Sequence, residues 1–362
     1  MILLSSIINT FEKAFLDKYQ DILLPNHKKA LHDMKWCRSE QGLHMLARCS
    51  DLDCTERVYL PHSCGNRTCP HCHNHENWQW IENQLDKRLP ATYYLITFTL
   101  PKQLRELTWS NQKLIYTLMF SCVQDILKTF TRNEKQLHGS AGFTAVLHTK
   151  ARNLDFHPHI HVVMPGASIN GKSGLWRVKS SKYLFNHKNL AKVFRAKLLE
   201  AIVDQRLHVP ATTPKDWVVD CKDVGTGDKA FIYLGKYLYK GVIQEKDILS
   251  CDNSQVTFRY MHSKSKEYRT RTFKGEDFLY LLMLHILPKG FQRTRCYGFL
   301  HPCSKKLLKL LQLIMRRPLF FMLKQKKERE AIICPRCGKP ITIVRTRIRK
   351  PLPGLVACFT RT

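Results

Sequence analysis

Negative charge is what this chain has least of: 29 Asp and Glu stand against 59 Lys and Arg in 362 residues, a formal charge of +30. A field of that sign leaves polyanions, meaning DNA, RNA or an anionic membrane surface, as the expected partners. The deficit deepens toward the C-terminus. From Lys289 onward, 19 Lys and Arg face two acids, Glu328 and Glu330, which marks the tail as a candidate phosphate-binding segment. Long apolar runs are missing too. The longest, "FLYLLMLHILP" from Phe278 to Pro288, falls short of the roughly 18 to 20 residues that a spanning helix needs. The N-terminal "MILLSSIINTFEKAFLDKYQ" has neither a basic leader nor a small-residue cleavage site, so it does not read as a signal peptide. It reads as an amphipathic helix with Ile8, Phe11, Phe15 and Tyr19 on one side. The expected location is the cytoplasm, in association with the nucleoid, where a disulfide framework for the 14 cysteines is excluded.

The spacing of those cysteines then carries the information. Cys37, Cys49, Cys54, Cys64, Cys69 and Cys72 fall within one short segment, as "CSDLDC" followed by "SCGNRTCPHC". Close pairs on turns, with Pro and Gly beside them, let thiolates converge tetrahedrally on Zn²⁺. Random burial of free thiols does not pair them inside polar, turn-rich sequence. His44, His62, His71, His73 and His75 lie in or beside the segment as candidates to complete a second site. Flanking Arg38, Arg48, Arg57 and Arg67 suit a nucleic-acid reader. Further on, "CPRCG" makes Cys334 and Cys337 a candidate second zinc knuckle that needs two more ligands. Cys296, His301, Cys303 and Cys358 are the nearby choices.

The middle of the chain is richer in strands. "TYYLITFTLP" (92–101), "GFTAVLHT" (142–149) and "HPHIHVVM" (157–164) predict strands, with "DWVVDCK", "QVTFRYM" and "EYRTRTF" after them. Amphipathic helices are expected at about 109–134 and at 189–202. Hairpin-paired strands followed by helices imply an α+β domain around an antiparallel sheet. Alternation puts His157, His159 and His161 on one strand face. Across a hairpin, His148 faces His159 and His161. Three neutral imidazoles make a divalent-metal site with positions left for phosphate oxygens and water. His157, before Pro158 at the start of the strand, is the surplus member.

Residues 227–241, "GDKAFIYLGKYLYKG", predict a helix closed by glycine, with Tyr233 and Tyr237 on one face and Lys236 and Lys240 alongside. Two tyrosines at this spacing commonly just pack on a sheet. Beside a metal-binding H-x-H strand in a strongly basic chain, they are candidate nucleophiles, because a phenol can attack a phosphodiester that a cation polarises.

Taken in order, "SCGNRTCPHC", "ITFTLP", "AVLHTKARNLDFHPHIHVVM", "LAKVFRAKLLEAI", "YLGKYLYKGVI" and "LHILPKGFQRTRCYGFL" resemble the two-tyrosine HUH transposases of the IS91 type over nearly the whole chain. The resemblance implies an α+β fold: a central antiparallel sheet of HUH endonuclease type with helices on one side, preceded by a helical and zinc-binding N-terminal domain. It implies three parts: 1–90 helical and Cys-rich, 91–300 catalytic, and 301–362 a basic segment with the candidate knuckle. The family's histidine pair falls on His159 and His161, and its paired tyrosines on Tyr233 and Tyr237. His148 as third ligand comes from hairpin geometry and not from a motif. The implied cofactors are Mg²⁺ or Mn²⁺ for catalysis and structural Zn²⁺. The implied partner is DNA, single-stranded and at element ends, nicked through 5′-phosphotyrosine intermediates, with Lys236 and Lys240 as phosphate clamps. "YLGKYLYKG" departs from expectation in carrying lysine where arginine is common, which keeps charge but not bidentate geometry.

Other readings are an HUH relaxase or replication initiator, which the zinc cluster disfavours, and a non-catalytic zinc-dependent DNA-binding protein, against which His159, His161, Tyr233 and Tyr237 all speak. A zinc hydrolase built on His159-x-His161 has no use for the tyrosines or the charge.

Overall fold

The computed structural model describes residues 2–170, 174–239, 241–262, 265–315 and 331–351. Helices α1 (Leu4–Tyr19) and α2 (Pro25–Lys35) lead into strands β1 (His44–Cys49) and β2 (Arg57–Pro61), then α3 (Asn74–Asp86) and β3 (Tyr93–Thr99). Next come α4 (Arg105–Ser110), α5 (Gln112–Asn133), and β4 (Ser140–Ala141), β5 (Phe143–Lys150), β6 (Phe156–Pro165), β7 (Ala167–Ile169) and β8 (Trp176–Val178). Then follow α6 (His187–Asp204), β9 (Val219–Asp223), α7 (Asp228–Tyr239), and β10 (Ile248–Asp252), β11 (Gln255–Met261) and β12 (Tyr268–Lys274). The last elements are α8 (Gly275–Met283), β13 (Thr294–Tyr297), α9 (Lys305–Ile314) and β14 (Ile341–Ile348).

The fold is α+β around a five-stranded sheet in the order β13-β5-β6-β3-β9, with every neighbouring pair antiparallel. Alternation along β6 sorts its side chains. Ile160, Val162 and Met164 face one side, where they join Phe98, Ile126 and Phe194 in the largest core. At full burial, each large apolar side chain there stabilises the fold by about 1.5–3 kcal/mol. The two long helices α5 and α6 lie on this face, as "helices on one side" anticipates. The opposite face is not bare, however: α7 packs there through Ala230, Phe231, Leu234 and Leu238 against Tyr93, Val146 and Val163. The reason is visible in "AFIYLGKYL", whose apolar stripe needs a partner as much as its tyrosines need a site.

The predicted long helix at about 109–134 is two helices broken at Asn111, and the second one at 189–202 runs longer, His187–Asp204. Asn186 starts α6 early, its side-chain oxygen accepting from the backbone N–H groups of Lys188 and Asn189. A second core joins distant parts of the chain. Ile7, Phe11 and Phe15 of α1 and Leu31 and Met34 of α2 pack with Val256, Phe258, Phe278 and Leu282. The separate sheet β10-β11-β12 and helix α8 supply the far side of that core. Among the described residues, no helix is long and apolar enough to cross a membrane.

Candidate functional site

The site grows out of the β5–β6 hairpin. In its register His148 stands opposite His159 and Val146 opposite His161, so His148, His159 and His161 share the face that α7 covers. Pro158 sits at the start of a central strand, where a missing N–H would normally break the ladder. It is tolerated because the pairing is irregular there, between His148 and Lys150. One ring nitrogen from each of the three histidines lies within 4.8 Å of the others.

Their protonation is set by burial and by local partners. His148 and His161 are 2% and 7% exposed. Loss of hydration pushes both imidazoles well below the ordinary histidine value, and it lowers His159 to about 4. All three are therefore neutral at physiological pH. Nδ1 of His159 lies 2.6 Å from the His157 carbonyl, and Nδ1 of His161 lies 2.8 Å from the Thr97 hydroxyl. Donation from Nδ1 to these oxygens leaves Nε2 with its lone pair free, the tautomer a metal ligand needs. The Nε2 atoms of His148 and His161 are buried without a hydrogen-bond partner. Orphaned nitrogens converging this way fit a divalent cation. His157 stands apart, its Nδ1 accepting from the Arg105 guanidinium at 2.7 Å.

Helix α7 lays both tyrosines on this cluster. The Tyr237 ring stacks on His148 with centroids 5.1 Å apart, Tyr233 meets His161 edge-on at 6.0 Å, and the two phenols are 4.7 Å apart. Burial raises the Tyr233 phenol well above the ordinary tyrosine value, so it stays protonated until a partner draws charge from it. Gly235 makes the seating possible. A Cβ there would come within 2.3 Å of Ile81 Cγ1, so α7 lies closer to α3 than any other residue permits. The cost of a mid-helix glycine, about 1 kcal/mol against alanine, is accepted for that approach.

Three basic residues lie about Tyr237, and of these the sequence singled out only Arg67, as a base flanking the cysteine segment and not as part of this site. Lys150 donates to the Gly241 and Val242 carbonyls at 3.0 and 2.9 Å, with its Nζ 5.5 Å from the Tyr237 ring centre. Burial, and then the Arg293 guanidinium, push it down to about 7. Arg293 donates to the Tyr237 carbonyl at 3.1 Å. Arg67 lines the same cavity as His148, Lys150, Tyr237 and Arg293. The signal for Lys150 was available: it follows His148 by two in the same strand. Nothing local ties Arg67 or Arg293 to the tyrosines, since both arrive from distant loops. Lys236 is exposed and stands on the rim of a neighbouring cleft that Tyr237 also lines. Lys240 lies outside the described residues.

The cysteines fall into two groups of four. Cys37, Cys64, Cys69 and Cys72 converge, with Sγ separations of 3.7 Å for Cys37–Cys72 and Cys64–Cys72 and 3.6 Å for Cys37–Cys69. A tetrahedron of sulfurs about 2.3 Å from Zn²⁺ has edges of about 3.8 Å, so these thiols fit that ion. Without a cation, four thiolates this close would repel. Cys49 and Cys54 belong to the other group, with Cys334 and Cys337, which corrects the expectation of one N-terminal cluster of six. The candidate partners proposed for Cys334 and Cys337 are also corrected. Cys296 lies beside Thr144, and His301 accepts from the Cys303 backbone. Cys358 lies outside the described residues. None of His44, His62, His71, His73 and His75 joins a thiol group. Instead His71 pairs with Glu245 at 3.0 Å and His73 with the Gly65 carbonyl at 2.8 Å.

The loop that carries the first thiol group meets the chain just beyond the tyrosine helix. Just beyond α7, a Cβ on Gly241 would lie 2.5 Å from the Thr68 carbonyl, and the Val242 N–H donates to that same oxygen at 3.3 Å. The loop holding Cys64 and Cys69 thereby buttresses the end of α7.

Comparison with known proteins matches two family profiles in order along the chain. Residues 7–100 match a "Transposase zinc-binding domain", which contains the six N-terminal cysteines, and residues 142–307 match a family described as "Putative transposase". Among curated proteins, the chain is 27% identical over 270 residues to the "Putative transposase y4qJ" of Sinorhizobium fredii, covering 68% of each. It is 26% identical over 271 residues to the "Transposase for insertion sequence element IS801" of Pseudomonas savastanoi pv. phaseolicola, covering 70% of this chain and 65% of that one. The chain thus spans about two thirds of the length of these relatives. Among solved structures, "Conjugative Relaxase TrwC in complex with mutant OriT Dna" aligns at 19% identity over 34% of this chain and 48% of the other, with a TM-score of 0.29. A likeness that low carries no argument.

Proposed function

We propose, for a chain that belongs to the IS91-type two-tyrosine transposases, that it nicks and rejoins single DNA strands through 5′-phosphotyrosine intermediates in rolling-circle-type transposition. One observation carries this reading: Tyr233 and Tyr237 lie against His148 and His161, whose Nε2 atoms are buried and unpartnered. A divalent ion, Mg²⁺ or Mn²⁺, held by His148, His159 and His161 would draw charge from a scissile phosphate when bound.

The rest of the chemistry belongs to the chain's own residues. One phenolic oxygen attacks phosphorus and the bond from phosphorus to the 3′ oxygen breaks. The proton given up by the phenol ends on that departing oxygen, and the tyrosine stays esterified to the 5′-phosphate. The second tyrosine repeats the exchange on another strand, and a free 3′-hydroxyl attacks a phosphotyrosine to rejoin DNA. Each step trades one phosphate ester for another, so no ATP is consumed. Arg293 supplies positive charge beside Tyr237, and Lys150 adds to it in the fraction still protonated at its lowered value of about 7. Lys236, on the rim of the neighbouring cleft, and Lys240 act as phosphate clamps. Arg67 and Arg293 also line a wider groove with Lys289 and Arg347, which suits the path of a single strand toward the tyrosines.

Incubation with labelled single-stranded DNA carrying element ends, plus Mg²⁺ or Mn²⁺, is expected to give a detergent-stable protein–DNA adduct and an extendable 3′ end. EDTA is expected to abolish both. Cleavage that leaves free 5′-phosphates and no attached protein would instead mean a hydrolytic nuclease.

A further inference from the structure

Cys334 and Cys337 lie beyond both matched regions, 280 or more residues from the thiols they meet. We propose that Cys49, Cys54, Cys334 and Cys337 hold a second Zn²⁺, a clasp that ties β14 near the C-terminus to the β1–β2 hairpin near the N-terminus.

The geometry is that of a tetrathiolate. Sγ of Cys49 is 3.3 Å from that of Cys337, Sγ of Cys54 is 3.9 Å from that of Cys334, and all four lie within 4.8 Å of one another. These spacings bracket the edge of about 3.8 Å for sulfurs around zinc and are far longer than the roughly 2.05 Å of a disulfide. Each half of the group is prepared by its own turn. In the C-terminal knuckle the Cys334 N–H donates to the Lys339 carbonyl at 2.7 Å and the Gly338 N–H to the Cys334 carbonyl at 3.0 Å. In the N-terminal one, the Cys54 N–H donates to the Asp51 carbonyl at 3.2 Å, and the Asp51 N–H points at Cys49 Sγ at 3.5 Å. The two turns are locked in register, since Cys49 pairs with Ile341 and the Ser50 N–H donates to the Pro340 carbonyl at 3.0 Å.

A second observation points to a metal. In the sheet β14-β1-β2 only His44, Ala47 and Cys49 of β1 are buried, and no residue of β2 or β14 is. Ile343 and Val344 of β14 are 44% and 55% exposed, and its other residues face solvent or are half-buried. Such a strand gains little from apolar burial, and small modules of this kind fold on their metal. Nor are all four thiols core filler: Cys49 and Cys334 are buried, but Cys54 is half-buried and Cys337 exposed. The clasp has a consequence for the groove: Arg347, on β14, lines it together with Arg67 and Arg293, so the metal would hold a cation there.

The test is metal content of the full chain, purified without chelator, and it is independent of the catalytic reading. Wild type is expected to carry two zinc ions per chain, one for each thiol group, and Cys334→Ser/Cys337→Ser to carry one. With Co²⁺ substituted for zinc, thiolate charge-transfer absorption per chain should fall by about half in that variant. Limited proteolysis should then cut between residues 331 and 351 in the variant and spare them in the wild type. A single zinc per wild-type chain overturns the clasp, as do two ions retained in the variant or disulfides Cys49–Cys337 and Cys54–Cys334 found by mass spectrometry. The wild-type stoichiometry decides even where the variant fails to fold.

Discussion

Replacing Tyr233 and Tyr237 together with phenylalanine is expected to abolish the covalent DNA adduct, lowering its rate of formation by at least about 10⁴-fold, since no nucleophile remains for the first step. Phenylalanine is the informative choice. The Tyr237 ring stacks on His148, and the Tyr233 ring lies edge-on to His161 and packs with the apolar residues of α7. Both contacts involve the ring and survive loss of the hydroxyl. Melting temperature and affinity for single-stranded DNA should therefore stay close to wild type while chemistry disappears. Tyr233→Phe and Tyr237→Phe singly are expected to form an adduct through the remaining phenol and to fail at the second exchange, so that nicked but unjoined product accumulates. An adduct that persists in the double variant removes both residues from the reaction.

Replacing His159 and His161 with alanine is the second large effect expected. With two of three imidazoles gone, Mn²⁺ affinity at this site should fall by more than about 100-fold, and strand cleavage by about 10³-fold or more. Titration of Mn²⁺ reads the first quantity and the adduct assay the second, each in protein whose zinc content is unchanged. The two readouts separate a ligand role from a packing role. Were the histidines merely filling the space under α7, the double variant would lose melting temperature but keep its Mn²⁺ affinity. Because burial already keeps all three imidazoles neutral, metal need not displace protons at neutral pH, and the two losses should run in parallel.

The parts of this site that were legible in sequence are those governed by short-range periodicity. The two-residue repeat of a strand put His159 and His161 on one face, and the four-residue spacing of a helix did the same for Tyr233 and Tyr237. Hairpin register placed His148 opposite His159. What periodicity cannot give is a partner far away in the chain. It shows that α1 has an apolar stripe, yet not that Phe11 and Phe15 would share a core with Phe258 and Phe278. The same limit hid the pairing of Cys334 and Cys337 with Cys54 and Cys49. Proximity in sequence suggested Cys296 and Cys303, while an antiparallel ladder between β1 and β14 decided otherwise. Arg293, and the place of Arg67 beside Tyr237, were missed for this reason too: each comes to that cavity from a loop distant in the chain. The second face of the main sheet was misjudged differently. The tyrosines in α7 drew attention to chemistry, and the same helix carries the leucines and phenylalanine that cover that face.

The segment that matches a transposase zinc-binding domain meets the tyrosine-bearing part of the chain through backbone. The loop from Cys64 to Cys72 meets the chain at Gly241, just beyond α7, and Gly235 holds the middle of α7 against α3. Helix α7 and the segment that follows it are therefore each held at a point outside the histidine cluster. Both anchors come from the N-terminal segment, which links zinc binding to the placement of the two phenols.

The central claim is that a tyrosine of α7 becomes joined to DNA, and the most direct measurement is to find that bond. The adduct formed with single-stranded element-end DNA and Mn²⁺ should be trimmed with nuclease, digested with trypsin and sequenced by mass spectrometry. The residual nucleotide is expected on Tyr233 or Tyr237, as a phosphate ester through the phenolic oxygen. A nucleotide on any other residue, or no nucleotide-bearing peptide from a protein that cleaves DNA, would contradict the assignment.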